Sequence, residues 1–291
     1  MSRRASAALD TQAKVTVRGA VCVLPDRMAP EMEEISMKKS WLIASLLLLA
    51  CVTLAAQTVA PARSVAQTLV DNDSIRILDT NSIVFGRTFS EWDAEWQQWA
   101  YSIPVANHPL FDNGDCTVGQ SGKVWFLGGK FCTNTDPQCG HYKVQRSCTV
   151  PTGTYLYFPV DNGEDSALEE RVVEHPDDPS FQLIGTMRQG WDPWVAGPTS
   201  DYLFIDGVRV PHLERYSVQS VVFGFTIPDD NYLKALYGLP NDFPAGYYSP
   251  AVDYGRYIML APLPPGKHTI QMAADWGGWG FQVTYFITVP K

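Results

Sequence analysis

Phe281-Gln282-Val283-Thr284-Tyr285-Phe286-Ile287-Thr288-Val289 carries an apolar side chain at every second position, with Gln282, Thr284 and Thr288 among the residues between. A period of two is the repeat of a strand with one face in a core and the other toward solvent. Upstream, Pro264-Pro265-Gly266 has the chemistry of a tight turn and predicts a strand pair over 254–261 and 267–274. Asp206-Gly207 is a two-residue hairpin signal between Tyr202–Ile205 and Val208–Val210. Val221, Phe223, Phe225 and Ile227 form another alternating face, and 123–127, 143–150 and 154–160 read as strands. Helix signals are fewer. Ser166 with Glu169 makes a capping box for a helix to His175, and Asp178-Pro179 starts a second that ends at Gly190. Asn231–Tyr237, closed by Gly238, is a third. Strands without regular alternation with helices predict a mainly β protein, an antiparallel β-sandwich, jelly-roll-like, with short helical insertions.

The chain has 291 residues, 45% hydrophobic and 18% charged, enough apolar material for a core and too little charge for disorder. The formal charge of −9 excludes a surface built to neutralise nucleic-acid phosphates. Met37-Lys38-Lys39-Ser40 followed by the apolar run Trp41–Ala56 has the n-region and h-region of a secretory signal, with cleavage expected among the small residues up to Ala66. The run is short for a bilayer span, so no transmembrane segment is expected in the mature chain. Leu48-Leu49-Ala50-Cys51 is a loose lipobox, but the residues after Cys51 stay apolar, which favours ordinary cleavage over a lipid anchor. Residues 1–36 lack targeting logic and read as a mis-annotated upstream extension: Glu33-Glu34 is encoded by a purine-rich tract, placed where a ribosome-binding site for Met37 would lie. The expected mature part, 67–291, is read as one domain with 14 basic and 26 acidic residues, secreted or periplasmic.

Cys116, Cys132, Cys139 and Cys148 remain after the leader, within 33 residues. Without a C-x-x-C pair they read as two disulfides rather than a zinc module. Of three pairings, Cys132–Cys139 nested inside Cys116–Cys148 requires the least rearrangement if the flanking segments run antiparallel.

Glu91-Trp92-Asp93-Ala94-Glu95-Trp96-Gln97-Gln98-Trp99-Ala100, Gly119-Gln120-Ser121-Gly122-Lys123-Val124-Trp125-Phe126-Leu127, Cys148-Thr149-Val150-Pro151 and Phe158-Pro159 give the chain its most specific local patterns. In these segments it resembles a group of uncharacterised exported bacterial proteins, over most of the mature chain. The resemblance implies export and one domain, and carries over no activity or catalytic residue.

Ser90 reads as the N-cap of the Trp-rich helix, with Asp93 at N3. Trp92, Trp96 and Trp99 then fall within a stripe about 60° wide, bordered by Glu91, Glu95 and Gln98. Indoles beside carboxylates suit a sugar, but a stripe at helical spacing is more often core. Aromatics outside periodic segments are the better ligand candidates: Trp191, Trp194, Tyr247, Tyr248, Trp276 and Trp279. Asp161, Glu164 and Asp165 read as a turn offering oxygen ligands to calcium, without the twelve-residue calcium loop; no other cofactor is expected. Nucleophile-elbow, zinc-helix and phosphate-loop motifs are missing, and the five histidines lack ligand spacing. The expected function is therefore carbohydrate binding, to a polysaccharide or cell-envelope glycan, through loop aromatics. A glycoside hydrolase or polysaccharide lyase on the same fold, or an envelope or matrix protein without a small ligand, are the alternatives.

Overall fold

In the computed structural model residues 75–190 and 197–291 are described, so the expected extension and signal, and Trp191 and Trp194, lie outside the described residues. Ten strands form two five-stranded sheets among these residues. They are β1 (Val124–Phe126), β2 (His141–Thr149), β3 (Tyr155–Ser166), β4 (Ser200–Ile205), β5 (Val208–Arg209), β6 (Ser217–Gln219), β7 (Phe223–Ile227), β8 (Gly246–Leu260), β9 (Gly266–Asp275) and β10 (Gly280–Val289). One sheet runs β1-β3-β8-β6, with β7 also on β8; the other runs β2-β10-β9-β4-β5.

The alternation from Phe281 to Val289 is what the structure uses. Val283, Tyr285, Ile287 and Val289 are buried between the sheets, together with Ile270 and Met272 of β9. The arrangement is sandwich-like, but β1–β3 and β2–β10 are parallel pairs, so both sheets are mixed where an all-antiparallel arrangement was expected. The Asp206-Gly207 hairpin joins β4 to β5, with both turn residues at positive φ. The expected pairing of 254–261 with 267–274 does not form: β8 pairs with β3, and β9 with β10 and β4. Pro264-Pro265-Gly266 instead carries the chain from one sheet to the other. A turn signal fixes a reversal, not which edge the next strand joins.

A third layer explains why β3 and β8 read as continuous apolar runs. Their Leu156, Phe158, Val160, Ile258 and Leu260 face the second sheet, while Tyr157, Tyr257 and Met259 face the helix α1 (Phe89–Ser102). Strands covered on both faces lose polar alternation. On α1, Trp92, Trp96 and Trp99 belong to this second core, and their indole N–H groups donate to the carbonyls of Val84 (3.0 Å), Leu127 (2.7 Å) and Val118 (3.4 Å).

The cap of α1 is Thr88 with Glu91 at N3, not Ser90 with Asp93. Moving the start by two residues frees Asp93 to enter the core, where it is fully buried. Ser166 caps α2 (Ala167–Glu169), which continues as a π turn through Glu174 rather than as α-helix. Asp178-Pro179 opens a 3-10 turn ending at Gln182, separate from α3 (Ile184–Gly190). Asn231 and Gly238 bound α4 (Tyr232–Tyr237). Both expected disulfides are present, Cys116–Cys148 (Cα–Cα 5.8 Å) nesting Cys132–Cys139 (5.5 Å). No helix among the described residues is long and apolar enough to cross a membrane.

Candidate functional site

The β9–β10 turn, Trp276-Gly277-Gly278-Trp279, closes through Trp276 N–H to Trp279 O (2.7 Å) and sets the two indole centroids 4.8 Å apart at 55°. Gly140 lies directly against the Trp279 indole at φ +80, a position where a Cβ would overlap the ring and the backbone favours glycine. The Cys132–Cys139 staple holds the loop that carries this glycine and Phe131. Phe131 stacks on Tyr232 of α4 with centroids 4.2 Å apart. Trp276, Trp279, Phe131, Tyr142, Tyr232 and Phe281, with Asn162 and Lys130, thereby line a cavity of about 270 Å³. Asn162 Nδ2 donates to Asp253 (3.3 Å), and Lys130 is paired with Asp112 (2.8 Å).

A second lobe of about 310 Å³ shares Trp96, Phe131, Asn162, Tyr232 and Leu236 with the first and adds Gln97, Tyr101, Glu164, Glu169 and Tyr237. Its chemistry is acidic. Burial, reinforced by Glu169, pushes the Glu164 carboxyl well above the usual range; burial also raises Glu169, although Glu164, Ser166 and Tyr237 oppose it through hydrogen bonds. Tyr101 donates to Glu164 Oε2, and Tyr237 to Glu169 Oε1 (3.1 Å). On the other side of β3, burial and the carboxyl of Glu170 push Asp165 to about 9. Asp161 rises to about 6 through burial, moderated by Arg256 (3.2 Å).

Of the residues singled out in the sequence, Trp276 and Trp279 come together at the first lobe and Glu164 reaches the second. Tyr247 and Tyr248 line neither: they lie on β8 opposite Thr226 and Phe225, Tyr247 exposed and Tyr248 donating to Pro244 O (2.7 Å). The Glu91, Glu95 and Gln98 patch is committed elsewhere. Glu91 closes the cap, Glu95 pairs with Arg87, and Gln98 donates to Gly224 O (2.8 Å).

Asp161, Glu164 and Asp165 are not a turn. They belong to β3 and pair with Arg256, Asp253 and Val252 of β8. Strand alternation sends Glu164 to the face opposite Asp165, so the three do not converge on one cation. Among the described residues no cluster of three or more His, Cys, Asp or Glu side chains is arranged to hold a metal ion. His108, fully buried, accepts from Leu110 N–H through Nδ1 (3.0 Å) and donates through Nε2 to Ala100 O (2.8 Å), a structural role; burial lowers it to about 4.

The residues missed were Phe131, Tyr142, Tyr101, Tyr232, Tyr237 and Glu169. Phe131 and Tyr142 flank the short disulfide loop in the sequence, a usable signal. The three other tyrosines meet only through the packing of α1, β3 and α4.

No family model matches the chain, and no curated protein matches it. Two solved structures show a weak likeness. A chain of the complex of PbICP-C with falcipain-2 is 12% identical, over 58% of this chain and 99% of that one, with a TM-score of 0.21. Amebosin is 7% identical, over 58% and 99%, with a TM-score of 0.18. At these scores neither likeness bears on fold or function.

Proposed function

We propose that the protein binds a glycan in the two-lobed cleft. The observation that carries this is the Trp276–Trp279 pair, which opens onto a cavity whose remaining walls are aromatic rings with a few fixed polar groups. Flat apolar faces suit the C–H surfaces of sugar rings, and sparse oriented polar groups such as Asn162 suit their hydroxyls. Polysaccharide or envelope glycan outside the cytoplasm is the partner this reading implies, and the two disulfides accord with an exported protein. Screening the purified chain against insoluble polysaccharides and a glycan array tests it. Retained glycan, weakened by Trp279→Ala without loss of fold, supports the reading; no retention on any glycan overturns it.

One observation favours a second reading, a carbohydrate-active hydrolase or lyase: the Glu164–Glu169 carboxyl pair stands in the wall of the same cleft. A carboxyl that keeps its proton is the kind of group that can act as a general acid. Reducing-sugar and unsaturated-product assays on every glycan retained would separate turnover from binding.

A further inference from the structure

The second lobe contains an oxygen that its neighbours do not satisfy as hydrogen-bond donors. Glu164 Oε1 is buried, and no donor among the described residues reaches it. Glu164 Oε2 accepts from Tyr101, Glu169 Oε1 from Tyr237 (3.1 Å) and Glu169 Oε2 from Ser166 Oγ (2.6 Å). Glu164 and Glu169 both line this lobe, and the Glu169 charge adds to burial in raising Glu164. Two ionised carboxylates buried in one wall repel each other, so the arrangement favours one proton between them. The titratable groups around the pair are Tyr101 of α1, Glu174 of the π turn, Tyr232 and Tyr237 of α4 and, from the opposite face of β3, Asp165. None of these is a cation, so nothing in that set would compensate a second negative charge.

We propose that the second lobe is a subsite for a neutral, hydroxyl-bearing ring of the glycan, and that it takes that ring only while Glu164 and Glu169 hold one proton between them. The inference rests on the glycan reading above. With the proton in place, the pair stays tied to Tyr101, Tyr237 and Ser166 and the lobe keeps its shape. Without it, two like charges in a buried wall repel, and Glu164 must leave the position that defines the lobe. The pair remains singly negative even when protonated, so a uronate ring is disfavoured against a neutral ring of the same size.

Calorimetric titration of the intact protein with cellotetraose, chitotetraose and tetragalacturonate, from pH 4.5 to pH 9, tests this. Carbon-13 NMR of the side-chain carboxyls in ligand-free protein is read in parallel, and near-UV circular dichroism monitors folding. The expected result is tighter binding of a neutral tetrasaccharide than of tetragalacturonate, with affinity falling by about tenfold per pH unit once the shared proton is lost. Glu164→Gln, which keeps a donor on the same frame, should flatten that profile. Trp279→Ala in the other lobe should weaken binding by the same factor at every pH.

Affinity independent of pH in a folded wild type overturns the proposal, as does equal affinity for tetragalacturonate. Carboxyl resonances showing both glutamates ionising in the ordinary range also overturn it, whether or not the Gln variant folds. If no tetrasaccharide binds at any pH, the glycan reading falls and the subsite with it. If glycan binds but without pH dependence, only the proton-dependent subsite falls.

Discussion

Asp93 of α1 and Asp253 of β8 are two carboxyls buried in the same interior, and the Asp253 charge adds to burial in raising Asp93. Asp253 Oδ1 accepts from Gln97 Nε2 (2.9 Å) and Asn162 Nδ2 (3.3 Å), and Oδ2 accepts from the Tyr257 hydroxyl (2.6 Å). Both oxygens of Asp93 are buried without a donor among the described residues. Burial and the Asp253 charge push Asp93 well above the carboxylate range, so Asp93 is the protonated partner. Asp253 is tied to the second lobe through Gln97 and Asn162, which both line it.

Asp93→Asn keeps a donor at that position and removes the need for the proton. Its stability should match wild type in mild acid and fall less as pH rises. Asp253→Ala strands the buried donors of Gln97 and Tyr257 and the half-buried one of Asn162, and should cost about 3 kcal/mol or more. Urea melts at pH 5 and pH 8 check both, and an Asp93→Asn variant whose stability falls as steeply with pH as wild type would refute the proton on Asp93.

The pH dependence of the whole fold follows from the same groups. A carboxyl raised in the folded state adds stability that is complete below its unfolded pKa and is lost as pH rises through the folded value. For Asp161 that loss runs from the ordinary carboxylate range up to about 6, and for Asp165 up to about 9. Asp112 works the other way. Burial pushes it up, but Arg146 and Lys130 hold it below the usual range, so its contribution is present above that range and lost in strong acid. The melting temperature should peak at about pH 4 and decline from there toward about pH 9; a steady rise from pH 5 to pH 9 would contradict this.

Reduction separates the two staples. In the loop-entropy account Cys116–Cys148, with a sequence separation of 32, contributes about 3–4 kcal/mol. Cys132–Cys139, with a separation of 7, contributes about 2–3 kcal/mol. Replacing the first pair by serine should lower the melting temperature more, since Cys116 and Cys148 lie in the core between the sheets. Replacing the second should chiefly disturb the first lobe, read as loss of glycan binding at a smaller thermal cost.

The indoles divide by burial. Trp96 is 1% exposed and donates to Leu127 O, so Trp96→Ala should cost about 3–5 kcal/mol. Trp279 is 43% exposed, and Trp279→Ala should cost about 1 kcal/mol or less while weakening glycan binding. Gly140→Ala should mimic that loss of binding by displacing the Trp279 ring, with an added backbone cost of about 1 kcal/mol at positive φ. Calorimetry and thermal melts on the three variants provide the check.

The sequence by itself determined what depends on short-range pattern. Alternation from Phe281 to Val289 placed a strand and its buried face, Asp206-Gly207 placed a hairpin, and cysteine spacing suggested the nested disulfides. These features follow from stereochemistry and chain entropy within a few tens of residues. Tertiary structure decided which strands became neighbours: whether β9 pairs with β8 or β10 depends on edges assembled from distant segments. It also turned Asp161–Glu164 from a turn into a strand, because β8 supplied a hydrogen-bonding partner along its length. The acidic wall was illegible for the same reason. Asp93 and Asp253 are 160 positions apart, and Asp93 is raised well above the carboxylate range because folding removes both carboxyls from water.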